Sequence, residues 1–195
     1  HVEHKRRHYM SGKPRHFLIE YTKETTLLEW TMTKTEKPLV GVLMGSKSDW
    51  DVMKRTDKML TEFGVPHVCR VLSAHRTPDE TAEFVKNGEA DGMEVFIAGA
   101  GLAAALPGVV AALTTVPVLG VPLDSGTLNG VDALHAIVQM PPGIPVGTLG
   151  IDKIGATNAA LLAVAILANK RPELAEKLRE YRKAQAQKVL DTKLS

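Results

Sequence analysis

The amino-acid sequence predicts an α/β fold of three layers, in which a parallel β-sheet carries helices on both faces. From residue 38 onward, five short apolar runs alternate with segments of helical periodicity. The runs are apolar throughout, which is typical of strands that are covered on both sides. Five such strands joined by helices favour a flavodoxin-like, doubly wound arrangement.

Each strand is predicted where aliphatic residues cluster between glycine, proline and polar residues. The five segments are 39–44, 65–72, 93–98, 117–121 and 145–149. Parallel packing brings their carboxyl ends to one rim of the sheet, where such folds bind ligands near the switch in strand order. The distinctive loops 45–50, 73–78 and 98–104 each follow a strand, so we expect them on that rim.

Helices are predicted where apolar residues recur at three- and four-residue spacing. One helix begins near Thr77, and Pro78 suits its first position. Thr77 as N-cap with Glu80 as its back-bonding partner predicts a capping box. The other predicted helices are 50–63, 102–113, 130–138, 156–168 and 172–190.

Composition excludes several classes of protein. The net charge is only +2, and the basic excess lies in residues 1–37, so the body offers no electrostatic basis for binding nucleic acid. The single cysteine, Cys69, rules out an intrachain disulfide and is interpreted as a strand residue. No secretion signal or bilayer-spanning run is evident. We therefore expect a cytoplasmic protein with no membrane partner.

Residues 1–37 differ from the remainder of the chain. They begin with His1, hold four of the seven histidines and lack sustained periodicity. We predict that 1–37 is an N-terminal extension, either non-native or disordered, and that 38–195 is a single domain. Met32 is a candidate natural start, and a vector leader, upstream read-through and a true extension all stay open.

The loop 45–49 joins the first strand to the first helix. Ser46, Ser48 and Asp49 suit helix capping, which is the simplest interpretation. The functional alternative is a phosphate cradle, because hydroxyls and backbone N–H groups at a helix start attract anions. Asp49 would repel a phosphate, so it better suits accepting hydrogen bonds from ribose hydroxyls.

The loop 73–78 carries the strongest chemical pattern. Arg76 presents a guanidinium fork that matches a phosphate, and Ser73 adds a hydroxyl donor. His75 lies between them and is the candidate proton carrier, because histidine exchanges protons near neutral pH. This pattern predicts binding of a phosphorylated small molecule with proton transfer by one histidine.

A run of very small residues follows the third strand. Gly99, Ala100 and Gly101 suit either close packing of helix on strand or a pocket for a flat substrate or carboxylate, and spacing alone leaves both open. His135 lies in a helical pattern and is interpreted as a packing or interface residue.

Three segments taken together resemble one enzyme family. They are 44–50 (MGSKSDW), 73–78 (SAHRTP) and 97–101 (IAGAG), supported by 138–141 (VQMP) and 158–163 (NAALLA). This ordered set resembles the class I N5-carboxyaminoimidazole ribonucleotide mutases of the AIR (aminoimidazole ribonucleotide) carboxylase family. The resemblance extends over about residues 38–190 and implies a single catalytic domain in 38–195.

The resemblance also implies specific roles. His75 would shuttle a proton between the N5-linked carboxylate and C4 of the imidazole. The ribose 5-phosphate part would be held by Ser46, Asp49, Ser73 and Arg76. The carboxyl group or transient carbon dioxide would be held by Gly99, Ala100 and Gly101. It further implies a homo-octamer, no metal or organic cofactor, and N5-carboxyaminoimidazole ribonucleotide synthetase as functional partner.

Two places depart from the family pattern. Leu102 replaces a glycine and Ala105 a histidine of the usual GGAAHLPG run, while 132–136 lacks both serines of the usual DSLxS. These changes predict an altered pocket wall and leave the carboxyl donor open. The alternatives are direct carboxylation by free carbon dioxide and a non-catalytic nucleotide-binding paralogue.

Overall fold

A computed structural model describes residues 37–194 of the chain. Apart from Lys37, the predicted extension 1–37 lies outside the described residues, and so does Ser195. The described range contains a five-stranded sheet, with helices on both of its faces.

The sheet is parallel throughout, with strand order β2-β1-β3-β4-β5. Its strands are β1 (Val40–Met44), β2 (His67–Val71), β3 (Val95–Gly101), β4 (Val118–Leu123) and β5 (Gly147–Thr148). This is the flavodoxin-like order, in which the chain reverses direction of winding between β1 and β3. The predicted fold class is confirmed.

Residues 37–194 contain six α-helices. They are α1 (Trp50–Phe63), α2 (Pro78–Asp91), α3 (Leu106–Leu113), α4 (Val131–Val138), α5 (Asp152–Ala168) and α6 (Pro172–Leu190). The bounds of α1 and α6 are those that periodicity predicts. None of the helices within 37–194 combines the length and apolar character needed to cross a membrane.

A hydrophobic core lies on each face of the sheet, because successive strand residues point to opposite sides. Val42 faces the core formed with α1 and α5, whereas its neighbour Leu43 faces the core formed with α2, α3 and α4. Phe96 joins Leu43, and all three side chains are fully buried. Burial of each side chain contributes about 1.5–3 kcal/mol to the free energy of folding. The two cores therefore stabilise the sheet whose edge carries the distinctive loops.

The predicted start of α3 at residue 102 is wrong, since the helix begins at Leu106. Leu102 and Ala104 have positive backbone φ angles, 55° and 43°, which a right-handed helix cannot accommodate. Pro107 is confined to the first turn because it lacks an N–H and clashes further inside a helix. Residues 102–105 therefore form a turn above β3 rather than the first turn of a helix.

The predicted capping box at Thr77 is also wrong, because Thr77 makes no side-chain bond to the start of α2. Its hydroxyl instead accepts from the N–H of Ser73 at 2.8 Å and donates to the Ser73 carbonyl oxygen at 3.2 Å. The Thr77 N–H donates to the same carbonyl at 2.9 Å. These bonds close the loop between β2 and α2 into a compact turn.

Cys69 lies in β2 and is half-buried, as expected for a strand residue. Burial, reinforced by the Asp57 carboxylate beside it, raises the pKa of the Cys69 thiol to about 12. A thiol with such a pKa holds almost no thiolate at neutral pH, so Cys69 is not a nucleophile.

Candidate active site

A cleft of about 570 Å³ opens at the carboxyl edge of the sheet. The loops that follow β1, β2, β3 and β4 line it, so all three distinctive loops of the sequence meet there. Neighbouring strands β1 and β3 are those between which the winding reverses, and this is where doubly wound sheets bind ligands.

The loop after β1 ends in a short 3₁₀ turn, Lys47–Asp49. The Ser46 N–H donates to Asp49 Oδ2 at 2.9 Å, and the Ser46 hydroxyl oxygen accepts from the Ser48 N–H at 3.3 Å. Ser46 and Asp49 thus form a capping box on the 3₁₀ turn, whereas Asp49, the N-cap of α1, makes no side-chain bond to that helix. Burial raises the pKa of Asp49, and the backbone hydrogen bonds from Ser46 and Gly45 oppose that effect.

Arg76 ties the loops after β1 and β2 together. Its guanidinium donates to the Gly45 carbonyl at 2.8 Å, and its Nε–H donates to the Ser73 hydroxyl at 3.4 Å. The Arg76 backbone N–H donates to the same hydroxyl at 3.3 Å. A guanidinium has five N–H donors, so several stay available on this exposed side chain for an anion in the cleft.

His75 lines the cleft between Ser73 and Arg76 and is exposed. Within residues 37–194, neither of its ring nitrogens is hydrogen-bonded. An imidazole held at the cleft without a fixed partner is free to accept a proton at one point and return it at another.

The opposite wall of the cleft is built from the turn after β3. Its lining is apolar and small: Ala100, Gly101, Leu102, Ala103, Ala104, Ala105 and Leu106. Leu102 and Leu106 are the two large side chains; Leu106 is buried, whereas 56% of the surface of Leu102 is exposed. Its left-handed backbone costs about 1–2 kcal/mol relative to glycine. Ala105 also lines the cleft, so both departures from the family run alter this wall.

Two predicted contributors lie away from the cleft. Gly99 is in the interior of β3, where an added Cβ would be 2.6 Å from the sulfur of Met53, and it is not among the lining residues. Residues 132–136 do not line the cleft either, because α4 packs the fully buried Ala133 into the core. The lost serines at 132–136 therefore lie outside this cleft of the single chain.

Ser125 lines the cleft and was missed in the sequence. It follows β4 and lies against Gly101, where an added Cβ would be 2.2 Å from the Ser125 hydroxyl oxygen. The loop 124–126 directly follows the observed β4, which extends two residues beyond the predicted strand 117–121, so the carboxyl-edge argument applies to it once the strand's end is known.

The cleft combines three chemical features in one space. Arg76 and Ser73 offer donors for an anionic group, His75 offers proton transfer, and the turn 101–105 offers a small apolar wall. This combination suits a phosphorylated substrate that loses or gains a small, uncharged fragment.

Comparisons with known proteins agree with this geometry. The AIR carboxylase family model matches residues 39–188. The chain is 57% identical over 156 residues to N5-carboxyaminoimidazole ribonucleotide mutase of Pyrococcus horikoshii, covering 80% of this chain and 87% of that protein. It is 55% identical over 152 residues to the mutase of Escherichia coli K12, covering 78% and 90%.

A solved structure shares both the fold and part of the sequence. The crystal structure of Treponema denticola PurE matches with a TM-score of 0.72 and 32% identity, over 79% of this chain and 95% of that one. The family model matches most of the chain, and the sequence identities to the two mutases exceed 50%. The chain belongs to the AIR carboxylase family.

Proposed function

We propose that this chain converts N5-carboxyaminoimidazole ribonucleotide into 4-carboxyaminoimidazole ribonucleotide, a step of purine biosynthesis. The observation that carries the proposal is the position of His75 in one cleft with an anion-binding pair and an apolar wall. The names of the relatives from P. horikoshii and E. coli support it.

The bound nucleotide is oriented by the two polar loops. Arg76 and Ser73 hold the 5-phosphate, for which a guanidinium and a hydroxyl are suited. Ser46 and Asp49 hold the ribose, with the Asp49 carboxylate accepting from a hydroxyl. The ring is thereby directed toward His75 and the turn 101–105.

The proposed reaction is an isomerisation, in which the substrate and the product contain the same atoms. Cleavage of the bond between N5 and the carboxyl carbon releases carbon dioxide, and protonated His75 supplies the proton that N5 gains. C4 attacks the confined carbon dioxide, and neutral His75 then removes the C4 proton. Ala100 and the turn 101–105 form an apolar wall beside the ring, and confinement against this wall would limit escape of carbon dioxide before the new bond forms.

The decisive experiment is incubation of the purified chain with synthetic N5-carboxyaminoimidazole ribonucleotide, with the C4-carboxylated product measured. We expect product to form without added bicarbonate. A parallel reaction with aminoimidazole ribonucleotide and bicarbonate tests the second candidate function, direct carboxylation. The observation that favours this candidate is the changed cleft wall at Leu102 and Ala105. Product from bicarbonate alone would favour that second reaction, and nucleotide binding without product from either donor would favour a non-catalytic paralogue.

Arg76→Ala is expected to weaken nucleotide binding by about 1.5–3 kcal/mol, the range for hydrogen bonds to a charged group. The substitution also removes the bond to Gly45 that joins the two loops. Calorimetric titration with the product nucleotide measures the change. Arg55→Ala, an exposed arginine of α1 outside the cleft, is the matched control. Equal affinity of the two variants would contradict the phosphate role.

We also propose that the chain assembles as a homo-octamer. Apolar side chains on α4, α5 and the loop before α4 are exposed in the single chain: Leu128, Val131, Val138, Ile154 and Leu162. Contiguous apolar surface favours an interface, and closed symmetric assemblies are the common result. Light scattering is expected to give eight copies. An active monomer would contradict the interface, and a tetramer would contradict the number alone.

The catalytic domain is proposed to comprise 38–195, with residues 1–37 dispensable. The family match over 39–188 and the lack of periodicity before residue 38 support this division. A chain that begins at Met32 is expected to keep full kcat and the same assembly state. A large fall in melting temperature on truncation would show that the removed residues contribute to the fold.

The proposed setting is the cytoplasm, where N5-carboxyaminoimidazole ribonucleotide synthetase would act as the functional partner that supplies the substrate. Cell fractionation tests the location, and recovery of the protein in a secreted or membrane fraction would contradict it. A coupled assay with that synthetase tests the partnership, and failure to pass product between the two enzymes would contradict it.

A further inference from the structure

We propose that Asp57, His67 and Cys69 form a binding site for a divalent transition-metal ion of the zinc type, separate from the active-site cleft. Their three ligand atoms all lie within 4.8 Å of one another. His67 and Cys69 are two residues apart in β2, so their side chains leave the same face of the strand. Asp57 reaches them from α1, which packs on that face.

The contacts of His67 direct one of its ring nitrogens at a carboxylate oxygen. Its Nδ1 lies 2.8 Å from the Val65 carbonyl oxygen, which only accepts, so Nδ1 carries a proton. Its Nε2 lies 3.0 Å from Asp57 Oδ1. A neutral ring would therefore direct a lone pair at a carboxylate oxygen. A metal ion bound to both atoms would satisfy this contact, as would the hydrogen-bonded ion pair that the two side chains can form without a metal.

The contact with Val65 is the arrangement by which metal-binding histidines are usually oriented. A ligating imidazole donates its other N–H to a backbone carbonyl or a carboxylate, which fixes the ring and its tautomer. Here the carbonyl belongs to Val65, two residues earlier in the chain, and β2 begins at His67 itself. The ring is thus set before any ion arrives, with Nε2 directed at Asp57.

The donor set favours zinc over magnesium or calcium. It contains one imidazole nitrogen, one sulfur and one carboxylate oxygen, whereas the hard cations prefer oxygen ligands alone. Tetrahedral zinc bonds of about 2.0–2.3 Å place neighbouring ligand atoms about 3.3–3.6 Å apart. Here Nε2 is 3.0 Å and the Cys69 sulfur 3.7 Å from the same Asp57 oxygen.

Charge and access also suit a divalent ion. A carboxylate and a thiolate balance two positive charges, but an ion must first displace the Cys69 thiol proton, because that thiol is neutral without a metal. The His67 side chain is 11% exposed and that of Asp57 40% exposed, so an ion can enter past Asp57. A water molecule would take the fourth position.

The location indicates a structural role. His67 pairs with Val40 at the amino end of the sheet, the end opposite the cleft. β2 is also an edge strand, held by β1 on one side only. A metal ion shared by α1 and β2 would fasten this edge, so we expect bound zinc to raise the melting temperature and to leave kcat unchanged.

Cobalt(II) titration of the full-length protein tests the site, because a thiolate ligand produces an intense sulfur-to-cobalt charge-transfer band. Cys69 is the only cysteine, so the histidines of residues 1–37 cannot produce this band. We expect one cobalt ion per chain with that band, and its loss when zinc is added. X-ray absorption of the zinc form should show one sulfur at about 2.3 Å.

Three variants locate the ligands, after circular dichroism has shown that each is folded. Cys69→Val should abolish the band, and Asp57→Asn should weaken cobalt binding at least about 10- to 100-fold. Asp51→Asn is the matched control, since Asp51 is an exposed carboxylate on the same helix that pairs with Lys54. Absence of the band in the unaltered protein, or equal affinity in the Asp57 and Asp51 variants, would overturn the proposal and identify the cluster as a hydrogen-bonded one around protonated His67.

Discussion

Replacement of His75 by asparagine is expected to lower kcat by at least about 100-fold while nucleotide binding largely survives. Asparagine keeps a polar side chain of similar size at the loop but cannot exchange a proton at neutral pH. The loss would exceed the value for one transfer, because the proposed reaction uses the same ring at N5 and again at C4. Arg76 and Ser73 are untouched, so the affinity for the phosphate should be retained.

Single-turnover rates with N5-carboxyaminoimidazole ribonucleotide, together with titration of the product nucleotide, separate the two effects. His135→Asn is the matched control, because His135 is exposed on α4 and does not line the cleft. Since α4 also belongs to the proposed interface, light scattering must first show that this variant keeps its assembly state. It should retain the unaltered kcat. A His75 variant that turns over at a rate close to that of the control would contradict the proton-carrier role.

Gly155→Ala is expected to lower the free energy of unfolding by about 3 kcal/mol or more, as severe overpacking does. An added Cβ at Gly155 would lie 1.6 Å from the carbonyl oxygen of Gly150 and 3.3 Å from Val121. The nearer atom belongs to the backbone, so no side-chain rotation relieves the clash and α5 must move. The segment 150–155 also contacts the loop 124–126 at the cleft, because the Asp152 carboxylate accepts a hydrogen bond from the Asp124 N–H at 2.9 Å.

Urea unfolding followed by circular dichroism measures this effect, with activity recorded on the folded fraction. Gly150→Ala is the control, since its added Cβ would be 3.7 Å from the nearest atom, an ordinary contact. It should change stability by less than about 1 kcal/mol. Equal midpoints for the two variants would show that α5 can shift freely and would contradict the close packing.

Local patterns in the chain were sufficient for the fold class and for most helices. The spacing of apolar residues predicts α1 and α6 with their observed bounds, because an amphipathic helix repeats every 3.6 residues whatever it packs against. Apolar strands in alternation with helices predict the parallel sheet for a similar reason. The argument that parallel strands end at one rim also places loops 45–50 and 73–78 at the cleft before any contact is known.

Hydrogen-bond partners and backbone angles were decided by contacts between distant parts of the chain. Thr77 resembles an N-cap in sequence, but its hydroxyl binds the backbone of Ser73 because the loop closes on itself. The run 102–105 resembles a helix start, but the turn over the cleft requires positive φ at Leu102 and Ala104. The hydrophobic periodicity of the sequence predicts neither the hydrogen bonds of Thr77 nor the turn at 102–105, because both depend on where neighbouring strands end.

The residue types needed for the chemistry, a histidine between a serine and an arginine, are readable from the order of the chain alone. Their meeting with the turn 101–105 and with Ser125 is a property of the folded sheet, in which β1, β3 and β4 become neighbours although they are separated along the chain. The approach of Asp57 to His67 and Cys69 has the same origin, because packing of α1 on β2 brings a helix carboxylate to a strand edge. Periodicity is a local property that sequence order preserves, whereas these contacts exist only once the two hydrophobic cores have closed on the sheet.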